Sequence, residues 1–142
     1  MILISSINYA FAQYSDPLVV LETNQGEIVI DFFHLDAPNH TENFIVLSKT
    51  GYYDGVLFHR IIPGFMIQSG DPNTIDGDPN TWGQGGKGAS SDRIDAEFNS
   101  IQHERGIVSM ARSSDPNSAG SQFFIVHKDS TFLDGEYTVF GR

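Results

Sequence analysis

The chain has 142 residues, enough for one domain with a core of its own and too few for two. Eighteen acidic residues against eight basic ones give a formal charge of −10, which argues against nucleic acid or an anionic membrane surface as the main partner. The absence of cysteine excludes disulfides, thiol catalysis and a thiolate zinc site, and leaves the redox compartment open.

Residues 1–17 read as separate from the domain that follows. Met1-Ile2-Leu3-Ile4 opens an apolar run that ends at Ala10-Phe11-Ala12, a small-x-small pattern that fits signal-peptidase cleavage before Gln13. No positive residue precedes the run, and it is too short to span a bilayer, so stable membrane insertion is not expected. It reads as the remnant of an export signal or as a leader from a misplaced start codon, with export favoured over a cytoplasmic location.

From Leu18 onward the chain reads as one folded unit, residues 18–142. Val19 to Glu22 and Ile28 to Phe33 are β-branched and aromatic runs joined through Thr23-Asn24-Gln25-Gly26, the pattern of a hairpin. Asp36-Ala37-Pro38 then starts a helix, since Pro is tolerated in a first turn, and Gly51 stops it. Phe44, Ile45, Leu47 and Ser48 give that helix a mostly apolar face. Asn39-His40-Thr41 is a glycosylation sequon, but its place at a helix start argues against use.

Next comes Phe58-His59-Arg60-Ile61-Ile62-Pro63-Gly64-Phe65-Met66-Ile67-Gln68-Ser69-Gly70-Asp71, two apolar runs around a Pro-Gly turn. Strand alternation puts Phe58, Arg60 and Ile62 on one face of the first run, and Met66 and Gln68 on one face of the second. A guanidinium so close to apolar side chains is either snorkelling over a core edge or serving a site. On the same alternation His59 points the other way and reads as a hydrogen-bonded structural residue.

A loop from about Asp71 to Arg93 follows, dense in Gly, Asp, Asn and Pro, and long enough to suggest function. Within it Gly83-Gln84-Gly85-Gly86-Lys87-Gly88 matches a dinucleotide fingerprint, but neither a leading strand nor a following helix supports that reading. Gly106 to Met110 and Phe123 to Val126 are apolar strands, the second buried on both sides, separated by a polar turn region from Ser113 to Gly120. Thr131 to Gly135 is a turn and Tyr137 to Phe140 begins a further strand. The five histidines never adopt a ligand spacing such as H-E-x-x-H, so no metal is expected. Ser121 in Gly120-Ser121-Gln122 is no nucleophile elbow.

The Phe58–Asp71 block, together with Met110-Ala111-Arg112 and Ser121-Gln122-Phe123-Phe124-Ile125, closely resembles the cyclophilin family of peptidyl-prolyl cis-trans isomerases, from about Leu18 to the last residue. The resemblance implies a mainly β fold, a closed antiparallel eight-stranded barrel capped by two helices. Cyclophilins continue past the strand holding Val139 and Phe140 with a helix and a closing strand. An open seam, a bare strand edge and low stability are therefore expected of a chain ending at Gly141-Arg142.

By the same resemblance Arg60 and Gln68 are the catalytic pair, with Phe65, Met66, Phe124 and Leu133 lining a socket for the proline ring. The backbone at Ala111 and Arg112 would pair with an extended peptide, and Phe132 and Tyr137 would complete the rim. Three positions depart from the best-known members: Arg112 stands where Asn is usual, Phe132 where Trp is, and Tyr137 where His is. The missing indole donor implies weak cyclosporin binding. The implied partners are proline-containing peptides and folding proteins, the protein a monomer, and no cofactor is needed. A proline-peptide binding module or chaperone without turnover is the alternative, and retention of Arg60 favours the enzyme.

Overall fold

The structure, a computed structural model, describes residues 17–89 and 93–142. The leader read for residues 1–17 lies, all but Pro17, outside the described residues. The strands are β1 (Val19–Thr23), β2 (Gly26–Ile30), β3 (Arg60–Ile62), β4 (Met66–Ser69), β5 (Val108–Met110), β6 (Phe123–Val126) and β7 (Val139–Gly141), and the helix is α1 (Pro38–Lys49). β1 and β2 form an antiparallel hairpin, and the other five strands form a sheet in the order β3-β4-β6-β5-β7.

The two sheets meet at one seam. Asp31 and Arg142 exchange backbone hydrogen bonds, and Phe33 N–H donates to the carbonyl of Phe140. The result is a belt from β1 round to β3 with those two strands as free lips. A groove of about 630 Å³ lies beside β1, lined by Val19–Asn24 and by Val56–Phe58 just ahead of β3. Among the described residues the fold is therefore mainly β, with seven strands and one α-helix, and the eight-stranded barrel is not closed. Short 3₁₀ turns at Pro72–Thr74, Pro79–Thr81 and Thr131–Leu133 replace further helix.

Strand β2 stops at Ile30 rather than Phe33 because the chain swings there to join β7; Phe32 keeps only an isolated bridge to Gly141. Likewise Gly106 and Tyr137 fall outside β5 and β7. The helix begins as expected with Pro38 in its first turn, and Gly51 takes a φ of +73°. Tyr52 N–H reaches the Leu47 carbonyl and Gly51 N–H the Ser48 carbonyl, the double closure that a left-handed glycine after a helix permits.

What caps the front of α1 was not legible. Ala37 has no side chain to offer, so the exposed amides of the first turn are taken by Glu97, 57 residues further on. Its carboxylate accepts from Asn39 N–H (3.0 Å) and His40 N–H (2.9 Å), and from the side chains of Asn39 and His40. A negative charge there also meets the positive end of the helix dipole. Glu97 N–H in turn donates to Thr138 Oγ1 beside β7. The sequon is thereby occupied: Asn39 gives its amide to Glu97 and Thr41 is fully buried.

The core forms on two faces of β6. Phe123 packs with Phe44 of α1, with Phe140 and with Ile30, while Phe124 and Val126 join Met66, Ile107, Leu133 and Val139 on the other side. Phe44 sits at the centre of the first cluster, edge-on to Phe123 at 5.0 Å and tilted on Phe140 at 5.3 Å. Burying each such ring contributes about 1.5–3 kcal/mol, so the helix is held by its aromatic face as much as by its cap.

Burial lowers the His40 imidazole below the ordinary histidine range, against the pull of the Glu97 hydrogen bond and charge. Burial acts to raise the Glu97 carboxyl, but hydrogen bonds from the His40 ring and from the amides of Asn39 and His40, with the His40 charge, hold it below the ordinary range. Both shifts leave the folded state binding fewer protons than the unfolded chain. The stability they contribute is complete above an unfolded histidine pKa of about 6.5 and an unfolded glutamate pKa of about 4.3. It is lost as pH falls through each folded value. Denaturant midpoints should therefore drop in two stages between pH 7 and pH 3. Glu97→Gln should cost about 1–3 kcal/mol at pH 7 and shrink the acid stage. A midpoint that stays level from pH 7 to pH 5 would remove His40 from this account.

Candidate active site

Arg60 and Gln68 face each other across the β3–β4 pair, and Ile62 faces Met66 two residues along. The Pro63-Gly64 turn that sets this register needs glycine, since Gly64 has a φ of +74°. It is pinned from outside by His127, whose ring Nδ1 accepts from Gly64 N–H (2.9 Å) and whose own N–H donates to the Phe65 carbonyl (2.8 Å). Phe65 is thus held at the mouth of the sheet with its ring free to line a cavity.

That cavity measures about 150 Å³. Met66, Phe124 and Leu133 line it with Phe65, and Arg60, Gln68, Ala111, Arg112 and Tyr137 complete the lining. Nine of the ten residues singled out in the sequence are brought together here. The tenth, Phe132, does not line the cavity. It is 71 % exposed and leans on Phe65 with ring centroids 5.5 Å apart.

The arginine is exposed and oriented. Its Nη1 donates to Gln68 Oε1 (3.3 Å), Gln68 Nε2 donates to Gln122 Oε1 (2.9 Å), and Gln122 Nε2 donates to the Gly85 carbonyl (2.6 Å). Gln122 was named in the sequence only as part of a motif; nothing in strand periodicity marks it as the link between Arg60 and the glycine-rich loop. The loop is itself anchored by fully buried Asp71, which accepts from the backbone of Asn73, Gly83 and Gly85. The Asp-Pro-Asn order at 71–73 was a legible signal, an N-cap followed by proline. Among the described residues no helix follows the glycines and no strand leads into them, which argues against the dinucleotide reading.

Arg112 behaves differently from Arg60. Its guanidinium donates to the carbonyls of Glu136 (2.9 Å) and Ser113 (3.0 Å) and lies 4.7 Å over the Tyr137 ring. Tyr137 in turn stands edge-on to Phe124 at 5.6 Å, so Arg112 braces a wall of the cavity. His59 departs from expectation: both ring nitrogens are shielded and neither has a hydrogen-bond partner. It packs beside Gly83, where the loop closes over it.

A small hollow with apolar side chains, an arginine held by a glutamine beside them, and no serine, lysine or histidine among its lining residues suits a conformational reaction on an apolar ring. Comparison with known proteins agrees. The family model described as cyclophilin type peptidyl-prolyl cis-trans isomerase/CLD matches residues 18–142. A peptidyl-prolyl cis-trans isomerase of Schizosaccharomyces pombe is 44% identical over 126 residues, covering 87% of this chain and 76% of that protein. One of Synechococcus elongatus is 46% identical over 123 residues, covering 87% and 77%. A cyclophilin type peptidyl-prolyl cis-trans isomerase of Cryptosporidium parvum, crystallised in the presence of the dipeptide Ala-Pro, matches with a TM-score of 0.79 at 38% identity, over 89% of this chain and 77% of its own. The chain belongs to the cyclophilin-type peptidyl-prolyl cis-trans isomerase family. Its function is peptidyl-prolyl cis-trans isomerisation.

The relay yields a prediction. Gln122→Ala removes the bond that positions Gln68 and frees the Gly85 carbonyl. At about 0.5–1.5 kcal/mol for a neutral hydrogen bond, kcat/KM should fall by roughly three- to tenfold with the denaturation midpoint little changed. Steady-state kinetics beside circular dichroism checks this, and an unaltered kcat/KM would show that Arg60 is oriented without the relay.

Proposed function

We propose that Arg60 is the group that lowers the rotation barrier and that Phe65, Met66, Phe124 and Leu133 seat the proline ring. An X–Pro bond rotates over a barrier of about 18–20 kcal/mol because amide resonance keeps it planar. When the bond twists, the nitrogen lone pair leaves the carbonyl and becomes a hydrogen-bond acceptor. A guanidinium placed over that nitrogen donates to it only in the twisted state, so the contact is stronger in the transition state than in the ground state. Arginine suits the task because it is charged at every relevant pH and planar.

The observation that carries this reading is the pairing of Arg60 with Gln68 across β3 and β4 at the lip of an apolar cavity. One charge-assisted hydrogen bond contributes about 1.5–3 kcal/mol, or roughly one to two decades of rate. The socket supplies the rest by holding the ring while the acyl side turns. The backbone at Ala111 and Arg112 is the edge along which an extended peptide lies, with Tyr137 and Phe132 at the rim. Proline-containing peptides and folding proteins are the substrates, a reading that the Ala-Pro dipeptide of the Cryptosporidium neighbour supports. We also read the two free lips, β1 and β3, as the edges that an eighth strand joins in a closed barrel.

A binding module without turnover would use the same socket. The two readings separate on Arg60→Ala, which should lower kcat/KM by one to two decades or more while the circular dichroism spectrum is kept, with Arg60→Lys intermediate. A folded Arg60→Ala protein of undiminished rate would remove the guanidinium from the mechanism and favour the binding reading.

Cyclosporin should bind weakly, because Phe132 has no donor to offer. Its ring already leans on Phe65 at the edge of the socket, so Phe132→Trp would place an indole N–H at that rim. Calorimetry should show tightening by about a hydrogen bond, on the order of 1 kcal/mol. Equal affinities would mean that position 132 is not the determinant.

A further inference from the structure

His103 is outside the cavity and fully buried, yet every polar group it has is tied to the structure behind the socket. Its backbone N–H (2.8 Å) and ring Nδ1 (2.9 Å) both meet Asp134 Oδ1. Its carbonyl accepts from Ser130 N–H (2.8 Å), and its ring Nε2 lies 3.0 Å from Ser109 Oγ. Ser130 and Asp134 are the residues that open and close the 3₁₀ turn Thr131–Leu133. One residue therefore holds both ends of the turn that carries Leu133.

The same imidazole lies flat against Phe124, with centroids 6.1 Å apart and planes 14° apart. Ser109 is the cross-strand partner of Phe124 in the β5–β6 pair. Leu133 and Phe124 are two walls of the socket that come from different parts of the chain, and His103 is bonded to the residues on either side of the first, Ser130 and Asp134, and stacked on the second.

Asp134, His103 and Ser109 stand in the order of a hydrolytic triad, but chemistry of that kind is ruled out by burial. Ser109 Oγ has no exposure and is 2.9 Å from the Thr138 carbonyl, to which it can donate, so no carbonyl substrate could reach it. The carboxylate can only accept, which puts a hydrogen on Nδ1 and fixes the ring's orientation. Asp134 is held below the ordinary aspartate range chiefly by the hydrogen bonds from the His103 backbone and ring, so it is ionised wherever the enzyme works.

We infer that His103 is a positioning residue for the proline socket, clamping the Leu133 turn at a fixed separation from Phe124. The inference rests on the assignment of Phe65, Met66, Phe124 and Leu133 as that socket. Beyond its own backbone bonds and the lean of exposed Phe132 on Phe65, the turn is seated by Leu133, the one of its three residues that is buried. Loosening the clamp widens the socket for the ring in the planar and twisted states alike. Binding lost equally from ground and transition states raises KM and leaves kcat nearly unchanged, unlike the loss of Arg60.

The test uses the full chain with His103→Phe, His103→Asn and Asp134→Ala, measuring kcat, KM, the denaturation midpoint, and Ala-Pro affinity from the Leu133 methyl resonances. Phenylalanine keeps a ring against Phe124 and loses both polar bonds; asparagine can return a donor to Asp134; Asp134→Ala cuts the clamp from the surface side, where folding is least at risk. KM and the Ala-Pro dissociation constant should rise three- to tenfold in His103→Phe and Asp134→Ala, with kcat within twofold and the Leu133 methyls shifted. His103→Asn should recover most of that loss. Unchanged KM and methyl shifts in a folded Asp134→Ala protein would overturn the inference, as would a loss of rate that merely follows the loss of folded protein. A wild-type chain that turns over substrate while Ala-Pro leaves Leu133 and Phe124 undisturbed would instead overturn the socket assignment on which the inference stands.

Discussion

The structure depends on one strand having two buried faces. β6 has both edges paired, with β4 and β5, and each of its faces packs into a hydrophobic cluster, its side chains alternating with a period of two. Phe123 points into the cluster that holds α1, and Phe124 into the cluster that floors the cavity. A slip of one residue would exchange those roles for the whole strand. The register that seats the helix is therefore the register that builds the socket, and the stability of one cannot be separated from the shape of the other.

Beside that floor the group proposed to act on the substrate, Arg60, is an exposed cation, and a cation in water has no reason to keep one direction. The chain from Arg60 through Gln68 and Gln122 to Gly85 supplies the direction. It ends on a loop fixed by Asp71, whose buried carboxylate is satisfied by backbone amides rather than by a counter-ion. Such an arrangement puts the Arg60 charge at the end of a series of neutral hydrogen bonds. Arg112, which also lines the cavity, is tied to Glu136 and Tyr137. The two arginines look alike in the sequence, and only their partners separate a brace from a donor.

What the sequence revealed was what local rules control. The hairpin, the start and stop of α1, the β3–β4 turn and the double burial of Phe123–Val126 all follow from alternation, proline and glycine, and the structure has them. Of the nine cavity residues, Arg60, Phe65, Met66, Gln68 and Phe124 lie in two blocks of high specificity, and Ala111, Arg112, Leu133 and Tyr137 came from the wider family resemblance, whereas composition or spacing alone left Arg60 undecided. What was missed joins distant parts of the chain through polar atoms. Glu97 caps a helix 57 residues before it, Gln122 reaches Gln68 across 54, and His103 reaches Asp134 across 31. Hydrogen bonds of that span leave no periodic mark. His59 shows the converse, since its predicted hydrogen bonds are absent and its ring serves as packing beneath the loop.

The cavities make the same point about function. The groove of about 630 Å³ beside β1 is much larger than the socket of about 150 Å³, yet its lining mixes aliphatic, aromatic and polar side chains with the carboxylates of Glu22 and Asp54 and includes no lysine or arginine. An open hollow can admit many ligands but prefers no geometry. Rotation about a proline bond breaks nothing and needs neither nucleophile nor metal; it needs a close-fitting wall on the ring and one donor that meets the nitrogen only when the bond is twisted. A small hollow with apolar side chains and a guanidinium held by Gln68 meets that demand better than a large one. On the reading proposed for Arg60, the physical requirement of the reaction, rather than the size of the opening, is what picks out the site in this fold.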